Sequence, residues 1–247
     1  MKLFRKENLK LLALIIIAAF FTALFLYING PKVTDTLGTK NKQNAFFKGN
    51  QGVALTFNIT GGGTENAKTI LEILEKEDIR SVTFFISGAW AQQHPDFIKK
   101  ITARNHEIAL LGYDYIDYSD AKKEDIKEDI QKAQIAFKKL NLPEINLVRA
   151  PTGAFNQTTL QATNELGLTL VHWTINTHDW KKPGVEEITK AANQAKKGDI
   201  ILLTASDSSI ETTKALPAII KEMKTKELEP VTISEMLANG KSKTKEL

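Results

Sequence analysis

Residues Val53 to Gly63 read VALTFNITGGG, an apolar strand that runs into Asn58, Ile59 and Thr60 and breaks on three glycines. In a barrel of strands and helices the carboxyl end of such a strand faces the active-site mouth, so these polar positions are where chemistry is expected. Here that place holds an amide and a branched aliphatic side chain. The stretch therefore asks whether the chain is a working enzyme or an enzyme fold whose site has been dismantled.

From Val53 onward, short apolar runs alternate with amphipathic stretches, the signature of repeated β-α units. Seven such units are expected, with strands at Val53 to Phe57, Val82 to Ile86, Glu107 to Leu111, Leu147 to Arg149, Leu170 to Ile175, Ile200 to Leu203 and Pro230 to Ile233. Helices are expected from about Thr64 to Lys76, with Thr64 as N-cap, and from His94-Pro95-Asp96 onward. Others are expected at Lys123 to Leu140, Gln157 to Leu166, Val185 to Ala195, Ile210 to Lys226 and Glu235 to Leu237. Periodicity alone fits either an open doubly wound sheet or a closed barrel. No phosphate-cradling glycine motif follows the first strand, and Gly61 to Gly63 reads as a turn.

Leu11 to Ile28 is an uncharged 18-residue run, roughly 27 Å long as a helix, which reads as a membrane span. The flank of residues 1–10 carries Lys2, Arg5, Lys6 and Lys10 against Glu7, so the positive-inside rule places it in the cytoplasm and the rest of the chain outside. A cleaved signal peptide is the alternative, but no clear small-x-small cleavage site precedes Gly30-Pro31. That flank holds most of the net charge of +4, which argues against a nucleic-acid partner. Residues 29–50 are expected to be a linker, 51–238 the folded domain and 239–247 a flexible tail. Cys is absent, which removes disulfides, thiolate nucleophiles and Cys-based zinc sites, and the four His (His94, His106, His172, His178) form no ligand pair at helical spacing.

The sequence resembles the polysaccharide deacetylase (NodB-homology, carbohydrate esterase 4-like) family. VALTFNITGG looks like the first-strand motif V-A-L-T-F-D-D-G, and NHEIALLGYDY sits where the family has G-H-E-I-G-N-H-T-Y-S-H. RAPTG resembles R-P-P-Y-G, WTINTHDW resembles W-S-V-D-T-x-D-W, and GDIILLTASDS resembles G-x-I-I-L-L-H. FFISGAWAQQHP, APTGAFN and ASDSSIETTKALPAIIKEM are closer still to the PdaB-type sporulation deacetylase-like branch. The resemblance implies a distorted (β/α)7 barrel that removes N- or O-acetyl groups from cell-wall glycans with a divalent metal.

Carried over position by position, the resemblance puts the general base on Asn58 and the metal ligands on Ile59, Leu111 and Tyr115. The Asp that tunes the acid falls on Asn176 and the general-acid His on Thr204, while Arg149, Asp179 and Trp180 persist. A bound metal lowers the pKa of water from 15.7 toward about 7, and a positioned base adds roughly 10²- to 10⁴-fold. An amide and aliphatic side chains supply neither, so no cofactor is expected.

The remaining candidates each carry two readings. Arg149 either held the lost base or is satisfied by a backbone carbonyl or by Asp179. Trp180 and Trp173 either stack on a sugar or simply pack. Tyr113, Tyr115 and Tyr118 with Asp114, Asp117 and Asp120 form either a glycan-binding loop or a solvated one. His106 and His172 are expected to be structural, and Lys181-Lys182 a solvated pair. A set of Ser206, His178 and Asp207 has no spacing support. The leading expectation is a membrane-anchored, catalytically impaired deacetylase homologue that binds cell-wall or spore-cortex glycan or peptidoglycan through Trp180, Tyr113, Tyr115 and Arg149. Its rivals are an active deacetylase with an atypical site built from Asp179, His178 and Asp207, and a structural scaffold of a sporulation complex whose protein partners the sequence does not name.

Overall fold

A computed structural model describes residues 44–238 and 243–245. The expected cytoplasmic flank, the span at 11–28 and most of the linker lie outside the described residues. Among the described residues no helix is long and apolar enough to cross a membrane.

Seven parallel strands form one sheet. In chain order they are β2 (Ala54–Ile59), β3 (Thr83–Ile86), β4 (Glu107–Leu110), β5 (Leu147–Val148), β6 (Thr169–Leu170), β7 (Ile175–Asn176) and β8 (Ile200–Thr204). Their spatial order is β6-β5-β4-β3-β2-β8-β7. The expected single strand at Leu170 to Ile175 is instead two short ones. Its first part pairs with β5 and its last part with β8, so one extended stretch supplies both edges of the sheet. This is a parallel α/β half-barrel consistent with the (β/α)7 architecture. The expected seventh strand at Pro230 to Ile233 is reduced to a single bridge, Val53 with Pro230, because Ile233 already opens a short terminal helix.

Two boundaries are corrected. Ala45 to Lys48, assigned to the linker, is a strand (β1), and Lys243 to Lys245 in the expected tail is a strand (β9) antiparallel to it. The run is too short to show a period, yet it alternates faces: Ala45 joins the strand-helix core while Phe46 enters the barrel interior. Lys48 then pairs with Asp199 and closes this end of the molecule.

The strands are buried on both faces, as expected of parallel sheet. Leu55, Phe57 and Ile59 of β2 pack outward against the helix layer, including Ile70, Leu71 and Leu74 of α1 (Glu65–Lys76). Each such side chain contributes about 1.5–3 kcal/mol by leaving water. Ala54 faces inward with Phe46, Phe85, Ala109, Leu111, Leu147, Val171 and Ile200. The side-chain period of two therefore puts Thr56 and Asn58 on the inner face as well. Five further helices follow: α2 (Gly88–Gln93), α3 (Pro95–Ala103), α4 (Lys123–Lys139), α5 (Gln157–Glu165) and α6 (Val185–Ala192). The chain ends its helical part with α7 (Ile210–Thr225) and α8 (Ile233–Ala238). Ser87 caps α2 by accepting from the Trp90 amide.

His106 is structural, as expected. Its Nδ1 lies 3.1 Å from the Arg80 carbonyl, its ring packs on Phe84, and burial pulls the imidazole down to about 4. An unfolded His titrates near 6.5, so the unfolded chain takes up the proton first. The contribution to stability is therefore fully present above about pH 6.5 and declines as pH falls toward 4, by roughly 3 kcal/mol in all. His106→Gln, which keeps a donor for the Arg80 carbonyl, is expected to flatten the urea midpoint against pH over that window relative to the parent protein.

Candidate functional site

The mouth lies at the carboxyl ends of the strands. β2 delivers Asn58 there, flanked in register by Phe85 of β3 and Thr204 of β8. Arg149 follows β5 directly and is fully buried. Its Nη1 donates to Thr56 Oγ1 at 3.0 Å and Asn58 Oδ1 at 2.9 Å, while Nε and Nη2 donate to the carbonyls of Val171 and His172. The guanidinium lies 3.8 Å from the centroid of Phe85 and 5.4 Å from that of Trp173. Every acceptor is neutral. Burial pulls the guanidinium down to about 9, so it keeps its charge at neutral pH. Both readings of Arg149 hold in part: it contacts the residue at the expected base position, through the Asn58 oxygen, and two backbone carbonyls also satisfy it, while Asp179 does not.

Asp179 is buried in a one-turn 3-10 helix after β7. It accepts from the Thr204 amide and hydroxyl, from Thr212 Oγ1 of α7 and from the Trp180 amide. Burial pushes its carboxyl up. Thr204, where the resemblance implies the acid, is thus tied down. Asn176 accepts from the His178 amide and shapes the turn, and His178 is exposed with a left-handed backbone at φ 54°. Asp207 accepts from the Gly63 and Asn66 amides, taking over the capping of α1 that Thr64 was expected to provide. The atypical site of Asp179, His178 and Asp207 is therefore not assembled: no hydrogen bond joins them among the described residues, and each is used in building a turn. Ser206 likewise accepts from the Thr60 amide.

The positions that would hold a divalent ion do not fit one. Ile59 packs in the strand-helix core, Leu111 packs in the barrel interior, and Tyr115 is 63% exposed. Hydrocarbon offers no donor pair. Among the described residues no group of three or more His, Cys, Asp or Glu is placed to hold a metal.

The aromatic candidates separate. Trp173 stacks on His172 at 3.8 Å and covers the Pro-Thr-Gly turn, where a Cβ on Gly153 would clash with its ring, so it packs. Trp180 is 53% exposed, with Lys181 Nζ 4.9 Å from its ring, on a turn anchored by Asp179. Tyr113 is half-buried and donates to Gln92; Tyr118 is buried.

The brace of this tyrosine loop went unread in the sequence. Asp129 of α4 accepts from the Tyr113 and Asp114 amides and from Tyr118 Oη at 2.6 Å. Burial and that carboxylate push the Tyr118 phenol far above its ordinary range. The available signal was spacing: Ile126, Asp129, Ile130 and Ala133 fall on one helical stripe, an acid on an apolar face.

Residues 48–171 match the polysaccharide deacetylase family model. The chain belongs to that family. It is 31% identical over 137 residues to the chitooligosaccharide deacetylase of Sinorhizobium fredii, which covers 54% of this chain and 63% of that protein. It is 27% identical over 190 residues to the peptidoglycan-N-acetylglucosamine deacetylase PgdA of Listeria monocytogenes, covering 76% and 39%. The chain thus spans less than two thirds of the length of both relatives. Among solved structures, a CE4 family pseudoenzyme from Bacillus anthracis superposes with a TM-score of 0.71 at 26% identity, over 77% of this chain and 68% of that one.

Removing the brace tests how rigid the deacetylase-fold mouth is. Asp129→Ala strips three donors of their acceptor and is expected to cost about 2–4 kcal/mol in urea denaturation. Hydrogen exchange of the Tyr113 and Asp114 amides is expected to rise before that of the strands.

Proposed function

We propose that this protein is a catalytically impaired polysaccharide deacetylase homologue that holds cell-wall glycan, peptidoglycan foremost, at the outer face of a membrane. The observation that carries the reading is the state of Asn58. Its carbonyl oxygen is occupied by Arg149, and an amide has no basic lone pair to take a proton from water. The aliphatic Ile59 and Leu111 add the loss of metal donors. Kinship to peptidoglycan and chitooligosaccharide deacetylases supports glycan as the ligand class. The exposed Trp180 and Tyr115, on turns braced by Asp179 and Asp129, offer aromatic faces to it. The uncharged run at Leu11 to Ile28 behind a basic flank supports a membrane anchor with the domain outside. The likeness to the PdaB-type branch supports spore cortex as the glycan.

The full-length protein is expected to release no acetate above background from peptidoglycan or chitooligosaccharide, with or without added zinc. Chelator-sensitive release would refute the impairment. Asn58→Asp alone is expected to stay inactive, since Ile59 and Leu111 still offer no metal ligands. Trp180→Ala is expected to weaken retention on insoluble peptidoglycan by several-fold while leaving the melting temperature unchanged, because the side chain is half exposed.

A further inference from the structure

We infer that the mouth of the barrel is a carboxylate-binding site, with the Asn58 amide as the contact donor and the buried Arg149 guanidinium as the charge behind it. This rests on the glycan reading only for the physiological ligand, which it narrows to sugars bearing a carboxylate.

Arg149 has donors and no acceptor, so the Asn58 oxygen must be the atom that faces it. The amide is planar, and Nδ2 is therefore directed away from Arg149. Asn58 is only half-buried, and its Nδ2 has no hydrogen-bond partner among the described residues. An aspartate at this place would present acceptors to a ligand. Asn58 presents a donor, polarised by the cation that grips its oxygen. The preference of the mouth is thereby inverted, from groups that give a proton to groups that accept a hydrogen bond.

Charge selects among such acceptors. Arg149 is fully buried, stays protonated, and has only carbonyls, a hydroxyl and an amide as partners. A buried cation without a counter-ion is unfavourable, and its field is weakly screened. A carboxylate on Nδ2 relieves that; a neutral hydroxyl or amide does not. The opposing acid is Asp179, behind Thr204. Its carboxylate is already engaged by four donors, its burial favours the neutral form, and the Thr204 hydroxyl points its proton at Asp179. Asn58 and Thr204 sit side by side in register, so the donor side of the mouth is Asn58.

The test is a titration of the ¹⁵N-labelled full-length protein with formate and with its neutral counterpart formamide, following the Asn58 side-chain NH2 and the Arg149 Nε–H. Formate is expected to give a saturable shift of both signals in the millimolar range and formamide none. Asn58→Asp, which is isosteric and supplies the missing counter-ion, is expected to raise the melting temperature and abolish the formate response. Asn58→Leu, which removes the donor without adding charge, is expected to abolish it too. Glucuronate is expected to bind about tenfold more tightly than glucose, a preference lost in Asn58→Asp. Equal responses to formate and formamide, or a formate response surviving in Asn58→Asp, overturn the inference. Retention on peptidoglycan without any formate response would sink this inference alone. A formate response without retention on peptidoglycan would leave it standing and remove the glycan reading.

Discussion

The mouth of the half-barrel is built around a buried cation whose hydrogen-bond acceptors are all neutral. Arg149 ties the end of β5 to Thr56 and Asn58 of β2, and to the carbonyls of Val171 and His172 in the stretch that links β6 to β7. That stretch supplies both edges of the sheet, so the guanidinium fixes the place where the half-barrel is pulled toward closure. Breaking one member of such a buried network leaves the others unsatisfied, which costs far more than the net gain from any single bond. Arg149 thus serves the architecture of the mouth.

Three acids carry a second level of the same logic. Asp129, Asp179 and Asp207 each collect amide or hydroxyl donors from a loop at the mouth and tie it to a neighbouring element. Removing any one of these acceptors would leave buried or half-buried donors unsatisfied. The loops at the mouth are tied to the elements beside them, and what they expose is aromatic: Trp180 and Tyr115. A rigid rim with exposed rings suits holding a ligand, because little conformational entropy is lost when it binds.

An amide at residue 58, where the family resemblance implies a carboxylate, changes the chemistry of the mouth more than its shape. The two side chains are nearly the same size, so packing around β2 is preserved. Proton affinity, formal charge and the direction of hydrogen bonding all change. The hydrocarbon of Ile59 and Leu111 is absorbed into the two apolar clusters that flank the sheet, which stabilises the fold.

The family, the order of the β-α units and the residue types at Asn58, Thr204, Ile59 and Leu111 are legible along the chain. Those are read from local apolar periods and from residue chemistry, and both are carried by neighbours along the chain. Only the tertiary structure decided that Phe46 fills the barrel interior, that one expected strand serves both sheet edges, and that Trp173 packs while Trp180 is exposed. It also decided that Asp129, Asp179 and Asp207 are braces and that Arg149 has only neutral partners. The reason is reach: Arg149 meets Thr56 and Asn58 across 93 and 91 residues of chain, and burial is set by what the fold brings alongside. A local pattern shows that a side chain is polar, and only its three-dimensional neighbours decide whether that polarity is spent on structure or left for a ligand.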